Sequence, residues 1–228
     1  MLAILDFEWY NLIKNVLCEL LFMCGSGWMN KNITENGNIV LLNGVTSAGK
    51  STLAKELQAE FDEPYYYVAL DTFNEIICPF AAGKGKFQDS EIMNEAVYVM
   101  HLLIRDFSQK GLNVIVDHIL CDYGNWFYNC IDRLHEYPVM FVRVDCNRDE
   151  LFRRARNRGY TTPERLNQID QQLEKIHKHG IYDVAVSTSE KTIAENVLLI
   201  KESLSKRSEW TALKHLKQVI DKQRMNNN

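Results

Sequence analysis

The stretch that most constrains this chain is Asn38 to Leu57, NIVLLNGVTSAGKSTLAKEL. Ile39 to Leu42 is wholly apolar, the pattern of a strand buried on both faces of a parallel sheet. The run breaks at Asn43-Gly44, and Gly44 to Ser51 then satisfies G-x-x-x-x-G-K-[ST] at every fixed position. Leu53, Leu57 and Phe61 recur behind it at helical spacing. A chance Gly/Ser turn would fit the pattern too, but it does not call for a strand before and a helix after.

The chemistry of phosphate binding explains the spacing. Gly44 and Gly49 let the backbone curl so that successive N–H groups face one phosphate cluster. A helix starting near Gly49 adds the positive end of its dipole. Lys50, read as an exposed ammonium, reaches the β- and γ-phosphates, and the Ser51 hydroxyl is placed to ligate Mg²⁺. The candidate nucleotide-binding set is therefore Gly44, Val45, Thr46, Ser47, Ala48, Gly49, Lys50, Ser51 and Thr52. ATP and Mg²⁺ are the expected cofactors.

The 228 residues suit one domain with a single core, and 46% hydrophobic with 25% charged residues is ordinary for a globular protein. A net charge of -4 argues against a broad nucleic-acid footprint. The six cysteines (18, 24, 78, 121, 130 and 146) form no C-x-x-C pair, which fits reduced thiols in a cytoplasmic protein. Residues 1–28 are apolar and aromatic, but Asp6, Glu8, Lys14 and Glu19 interrupt them, so no membrane span is expected. Two readings stand: an amphipathic helix packed on the domain or a partner, or a dispensable segment ahead of a natural start at Met29.

The chain divides into an apolar extension over 1–36, a phosphate-loop domain over 37–206, and an amphipathic helix with a frayed tail over 207–228. Further apolar runs at Tyr66–Leu70, Asn113–Val116, Val139–Val144 and Val184–Thr188 alternate with helical stretches. That alternation predicts an α/β domain with a parallel sheet and helices on both faces. Ala81 to Lys86 reads as an exposed loop. Asn147 with Glu150 reads as a capping box, and Thr162-Pro163 as a helix start.

Three of these runs end in aspartate: Asp71, Asp117 and Asp145. Ligands of open α/β sheets sit beyond the carboxyl ends of the strands, so each is a candidate, and each is equally the form of a helix cap. Asp145 has no further feature in its favour. Asp117, closing an apolar strand, has the form of a Mg²⁺-organising carboxylate, so Ser51 and Asp117 are the candidate metal ligands. Arg153, Arg154, Arg156 and Arg158 precede a short Gly-Tyr-Thr turn. They suit either a solvated helix face or a lid over ATP phosphates, with Arg154 and Arg158 sharing a face at i, i+4. No Asn-Lys-x-Asp guanine-reading motif occurs, which favours ATP over GTP.

LLNGVTSAGKST, ALDTF, NVIVDHIL, FVRVDCNRDELFRRARNRG and IHKHGIYDVAVSTS, in that order and spacing, resemble the chloramphenicol phosphotransferase-like family of small P-loop kinases. The resemblance runs from about Asn38 to Leu204. It implies a three-layer P-loop NTPase fold like that of nucleoside monophosphate kinases, with a five-stranded sheet in the order 2-3-1-4-5. It also implies that Asp71 takes the proton from the substrate hydroxyl; with Lys50 from the loop motif and Arg154 and Arg158 from the lid reading, these are the candidate catalytic residues. An acceptor pocket walled by Phe73, Ile76, Ile77, Phe80 and Trp126 is expected opposite. His118 reads equally as a structural hydrogen-bonder and as a substrate contact. Two departures stand out: Gly159-Tyr160-Thr161 where the family often has Gly-Asp-Arg, and Ser187-Thr188-Ser189 where Asp-Thr-Ser is common.

Three functions remain in view. One is phosphoryl transfer from ATP to a small-molecule hydroxyl. Another is a kinase for a nucleotide, sugar or nucleotide-sugar. The last is a non-catalytic ATP-binding switch that uses the apolar extension to hold a partner. Homo-oligomerisation is left open.

Overall fold

The computed structural model describes residues 35–77, 90–121 and 125–226. The expectations for residues 1–28, for the loop at 81–86, and for Phe80 fall outside the described residues, as do the side chains of Ile76 and Ile77. Residues 35–228 form one compact unit. Its order is β1 (Ile39–Asn43), α1 (Lys50–Glu60), β2 (Tyr65–Ala69), α2 (Leu70–Ile77), α3 (Ser90–Gln109) and β3 (Asn113–His118). Then follow α4 (Trp126–Leu134), β4 (Val139–Asp145), α5 (Arg148–Asn157), α6 (Pro163–Lys175), β5 (Val184–Ser187), α7 (Ile193–Leu204) and α8 (Ala212–Asn226).

The five strands are parallel and ordered β2-β3-β1-β4-β5. Strand alternation splits the core in two. Val40, Leu42, Ile115, Met140 and Val142 face one side, where Leu53 and Leu57 of α1, Leu151 of α5, Ile169 of α6 and Ile200 of α7 cover them. Ile39, Leu41, Val114, Val116 and Phe141 face the other, under Met100 and Ile104 of α3, Ile131 of α4, and Leu213, Leu216 and Ile220 of α8. Both faces of the central strands are therefore dry, which is why they read as continuous apolar runs.

Two local readings change. Strand β2 stops at Ala69, and Leu70 already belongs to α2, so Asp71 sits in a helical first turn instead of closing the strand. Asn147 does cap α5, accepting from the Glu150 amide at 2.9 Å. The Glu150 carboxylate, however, is taken by Arg153 and Arg154, and the Asn147 amide donates to Ser189 Oγ instead. The complete capping box lies at Thr192 and Glu195, ahead of α7. Thr162 and Pro163 open α6 as the sequence indicates.

Candidate active site

The central strand β1 delivers the chain into the phosphate loop at the carboxyl edge of the sheet. Gly44 is needed there because a Cβ would meet the Val144 carbonyl oxygen at 2.6 Å. Gly49 takes φ +91° and leads into α1 with no side-chain cap, so the first amides of that helix keep their hydrogens for an anion. Ser47 also adopts a left-handed backbone, φ +67°. Lys50 is not the exposed ammonium its sequence suggests. It is 6% exposed, donates to the Val45 carbonyl at 3.0 Å, and lies 3.5 Å from Asp117 Oδ1.

Asp117 stands beside Leu42 in the β1–β3 register, one strand from the loop. Its Oδ2 accepts from Ser51 Oγ at 2.6 Å and from the Tyr67 hydroxyl at 3.2 Å. Burial, with the Asp117 charge, raises the Tyr67 pKa to about 12, so that hydroxyl remains a donor. A hydroxyl and a carboxylate in contact form a hard, all-oxygen pair. That donor set fits Mg²⁺, which takes one or two protein oxygens and completes its shell with water and phosphate. Among the described residues no group of three or more His, Cys, Asp or Glu is placed to form an all-protein cage.

Asp71 faces the same space. A cavity of about 190 Å³ is lined by Lys50, Ser51, Tyr67, Asp71, Asp117 and Arg158. The Asp71 side chain reaches solvent at the cleft mouth, yet its crowded surroundings raise its pKa, and Asp117 raises it further; Lys50 and Arg158 pull the other way. Beyond Asp71 a second cavity, about 200 Å³, is walled by Leu70, Met93, Ile119, Trp126 and Tyr160 on one side. Helix α6 supplies the other side with Arg165, Gln168, Ile169 and Gln172. Trp126 is thus where an acceptor wall was expected, whereas Phe73 turns into the core beneath α2.

A third cavity, about 360 Å³, opens on the far side of Gly49 and is lined by Thr52, Arg154, Arg158, Thr188, Lys191 and Asn196 among others. The two lid candidates differ in their commitments. Arg154 is tied down: it donates to Glu150 at 2.7 Å, to the Thr188 carbonyl at 2.8 Å and to Thr188 Oγ1 at 3.0 Å. Arg158 lies past the end of α5 and lines both this cavity and the one holding Asp71. Arg153 is exposed and paired with Glu150, and Arg156 sits 5.8 Å from the Phe152 ring.

A family model described as chloramphenicol phosphotransferase-like protein matches residues 37–205. The chain belongs to that family. Among solved structures it resembles the crystal structure of APE1195, with 20% identity and a TM-score of 0.60 over 75% of this chain and 97% of that one. The APS kinase CysC of Mycobacterium tuberculosis gives 16% identity and a TM-score of 0.58 over 75% and 99%. Shikimate kinase of Acinetobacter baumannii gives 13% and 0.56 over 77% and 97%. These likenesses show the P-loop kinase fold. No curated protein matches the chain. No helix among the described residues is long and apolar enough to cross a membrane.

In this family member, several residues around the loop carried no local sequence signal. Thr188, in the departing Ser-Thr-Ser, donates to the Ala48 carbonyl at 2.6 Å and so clasps the phosphate loop from β5. Gln172 of α6 accepts from the Thr46 amide at 2.8 Å. Asn43 holds the chain beyond β3, accepting from the Leu120 amide at 2.7 Å while its Nδ2 donates to the Tyr182 hydroxyl. His118 is fully buried, and its bonds fix its tautomer. Its Nδ1 accepts from the Ile119 amide, so Nε2 carries the hydrogen and donates to His101 Nε2 at 2.9 Å. His101 then donates from Nδ1 to Asn129 Oδ1. That histidine braces β3 against α3 and α4, out of reach of the cavity.

Proposed function

We propose that this chain is an ATP- and Mg²⁺-dependent phosphotransferase that moves the γ-phosphoryl group to a hydroxyl of a small molecule. The observation that carries the reading is the shared cavity: the phosphate-loop cation, the Ser51–Asp117 pair and Asp71, a carboxylate with no hydrogen-bond partner among the described residues, face one space. A non-catalytic nucleotide switch has no use for a carboxylate on the acceptor side.

In this reading the phosphate-loop amides other than those of Thr46 and Ala48, which bond to Gln172 and Val45, hold the triphosphate, and the base and ribose lie along Thr52, Thr188 and Asn196. Ser51 and Asp117 would hold Mg²⁺, which screens the phosphate charges when bound. Lys50 and Arg158 stabilise charge on the equatorial oxygens of the transferring group. Arg154 acts one step back, fixing the loop and the β5–α7 turn. Asp71 accepts the proton as the acceptor oxygen bonds to the γ-phosphorus and the bond to the β,γ-bridging oxygen breaks, releasing ADP. General-base help of this kind contributes about 10²–10⁴-fold. The apolar walls around Trp126 and Met93 suit a carbon skeleton.

Acceptor-dependent ADP release should be measured across chloramphenicol, other hydroxylated antibiotics, nucleosides and sugars, in wild type and Lys50→Ala. Release by wild type and none by the variant is the expected result. Because Lys50 neutralises a buried carboxylate, the variant should also be less stable by about 1–3 kcal/mol in urea. Turnover unaffected by Lys50→Ala would remove the phosphate loop from the chemistry.

A further inference from the structure

Helix α6 presents three hydrogen-bond donors to the cavity beyond Asp71. Arg165, Gln168 and Gln172 fall at i, i+3 and i+7, one face of a helix, and all three line that cavity. Gln172 is 3% exposed, and its Oε1 is committed to the Thr46 amide of the phosphate loop. Its remaining polar atom is Nε2, an obligate donor, and no acceptor among the described residues takes those hydrogens. A buried amide with its carbonyl spent thus offers only N–H at the cavity.

Arg165 points the same way. Nearby arginines of α5 are consumed internally: Arg148 by Asp170, and Arg153 and Arg154 by Glu150. The Arg165 guanidinium instead lies 5.0 Å over the Tyr160 ring, and no carboxylate among the described residues pairs with it. Stacking fixes its plane and leaves its N–H edge available. The opposite wall, Leu70, Met93, Ile119 and Trp126, is apolar or aromatic, and Asp71 is the carboxylate in the lining. Arg165 and Gln168 are exposed and keep water as a partner, whereas the buried Gln172 Nε2 finds an acceptor only in a molecule that enters the cavity.

We propose that the acceptor carries an anionic group, a carboxylate or a phosphate, and that Arg165, Gln168 and Gln172 receive it while its hydroxyl lies at Asp71. This rests on the phosphotransferase reading and narrows its substrate class. Planar, forked donors of this kind discriminate oxyanions from amides and esters of the same shape.

The test uses the full chain and two matched series. Nucleosides are compared with their 5′-monophosphates, and aromatic hydroxy acids with their primary amides, by acceptor-dependent ADP release. The series distinguish a phosphate from a carboxylate. In at least one of them the charged member should be favoured in kcat/KM by about tenfold or more. Arg165→Gln should cut that preference back toward unity, through KM more than kcat, and Arg165→Lys should restore part of it. A purely structural Arg165–Tyr160 stack would instead raise KM for both members alike. Preference for the uncharged member in both series, or an equal loss for both members in Arg165→Gln, overturns the proposal. A wild-type chain that neither transfers phosphate nor releases ADP to water fails one step earlier, and takes the phosphotransferase reading with it.

Discussion

Asp71 and Asp117 open onto one cavity, and a neighbouring negative charge disfavours ionisation of Asp71. Crowding first and Asp117 second lift the Asp71 pKa, against Lys50 and Arg158. A general base works only when ionised. kcat/KM should therefore rise with pH through an acid limb lying above the ordinary aspartate value of about 3.9. A pH–rate profile still flat below that value would exclude Asp71 as the base. The same shift has a stability sign. A carboxyl whose pKa is higher folded than unfolded contributes stability at low pH that is lost as pH rises through the folded pKa. Asp71→Asn removes this liability, so at pH 7 the variant should melt no lower than wild type. Loss of stability would mean Asp71 serves mainly to hold the first turn of α2.

Three elements meet at the buried chain His118–His101–Asn129, which ties β3 to α3 and α4. Burial, the largest cause, lowers the His101 pKa to about 4 and that of His118 well below its ordinary value. In the unfolded chain both bind protons near pH 6.5. The stability they support is therefore present above about pH 6.5 and lost as pH falls toward 4, at roughly 1.4 kcal/mol per pKa unit for each group. Urea denaturation across that window should show the decline, and His101→Gln should flatten it. A slope unchanged by the substitution would place the acid sensitivity elsewhere. This chain of bonds left no trace in the sequence, because His101 occupies one place in an otherwise apolar stripe of α3. Gln172 was silent for a similar reason: it is a lone glutamine on a polar helix, and its partner Thr46 lies 126 positions away. Strands β1, β3 and β4 were legible since burial on both faces writes itself as runs of Val, Ile, Leu, Met and Phe, broken in β4 only at the half-buried Arg143. The β2–α2 boundary was not, because Leu70 fits an apolar strand end and a buried first turn equally well.

At the scale of the molecule, one loop motif and four apolar runs indicate a parallel α/β sheet with a site at its carboxyl edge, while the order 2-3-1-4-5 was implied by the family resemblance and is the order the structure has. The acceptor side was less legible, since its walls come from α2, α3, α4 and α6 and converge only in space. The compact unit starts at Glu35 and the family match at Gly37. A chain shortened to begin at Met29 should accordingly fold and keep its Lys50-dependent ADP release; a folded but inactive product would show that the removed segment shapes the site. The central claim is that Asp71 and the phosphate loop serve one reaction by separate means. It is tested most directly by pairing two readouts on Asp71→Asn: kcat for phosphoryl transfer and ATP affinity by equilibrium titration. Asparagine keeps the shape and removes the proton acceptor, so kcat should fall about 10²–10⁴-fold while ATP affinity stays close to wild type. Transfer at the wild-type rate would contradict the account, and so would ATP affinity falling in step with kcat.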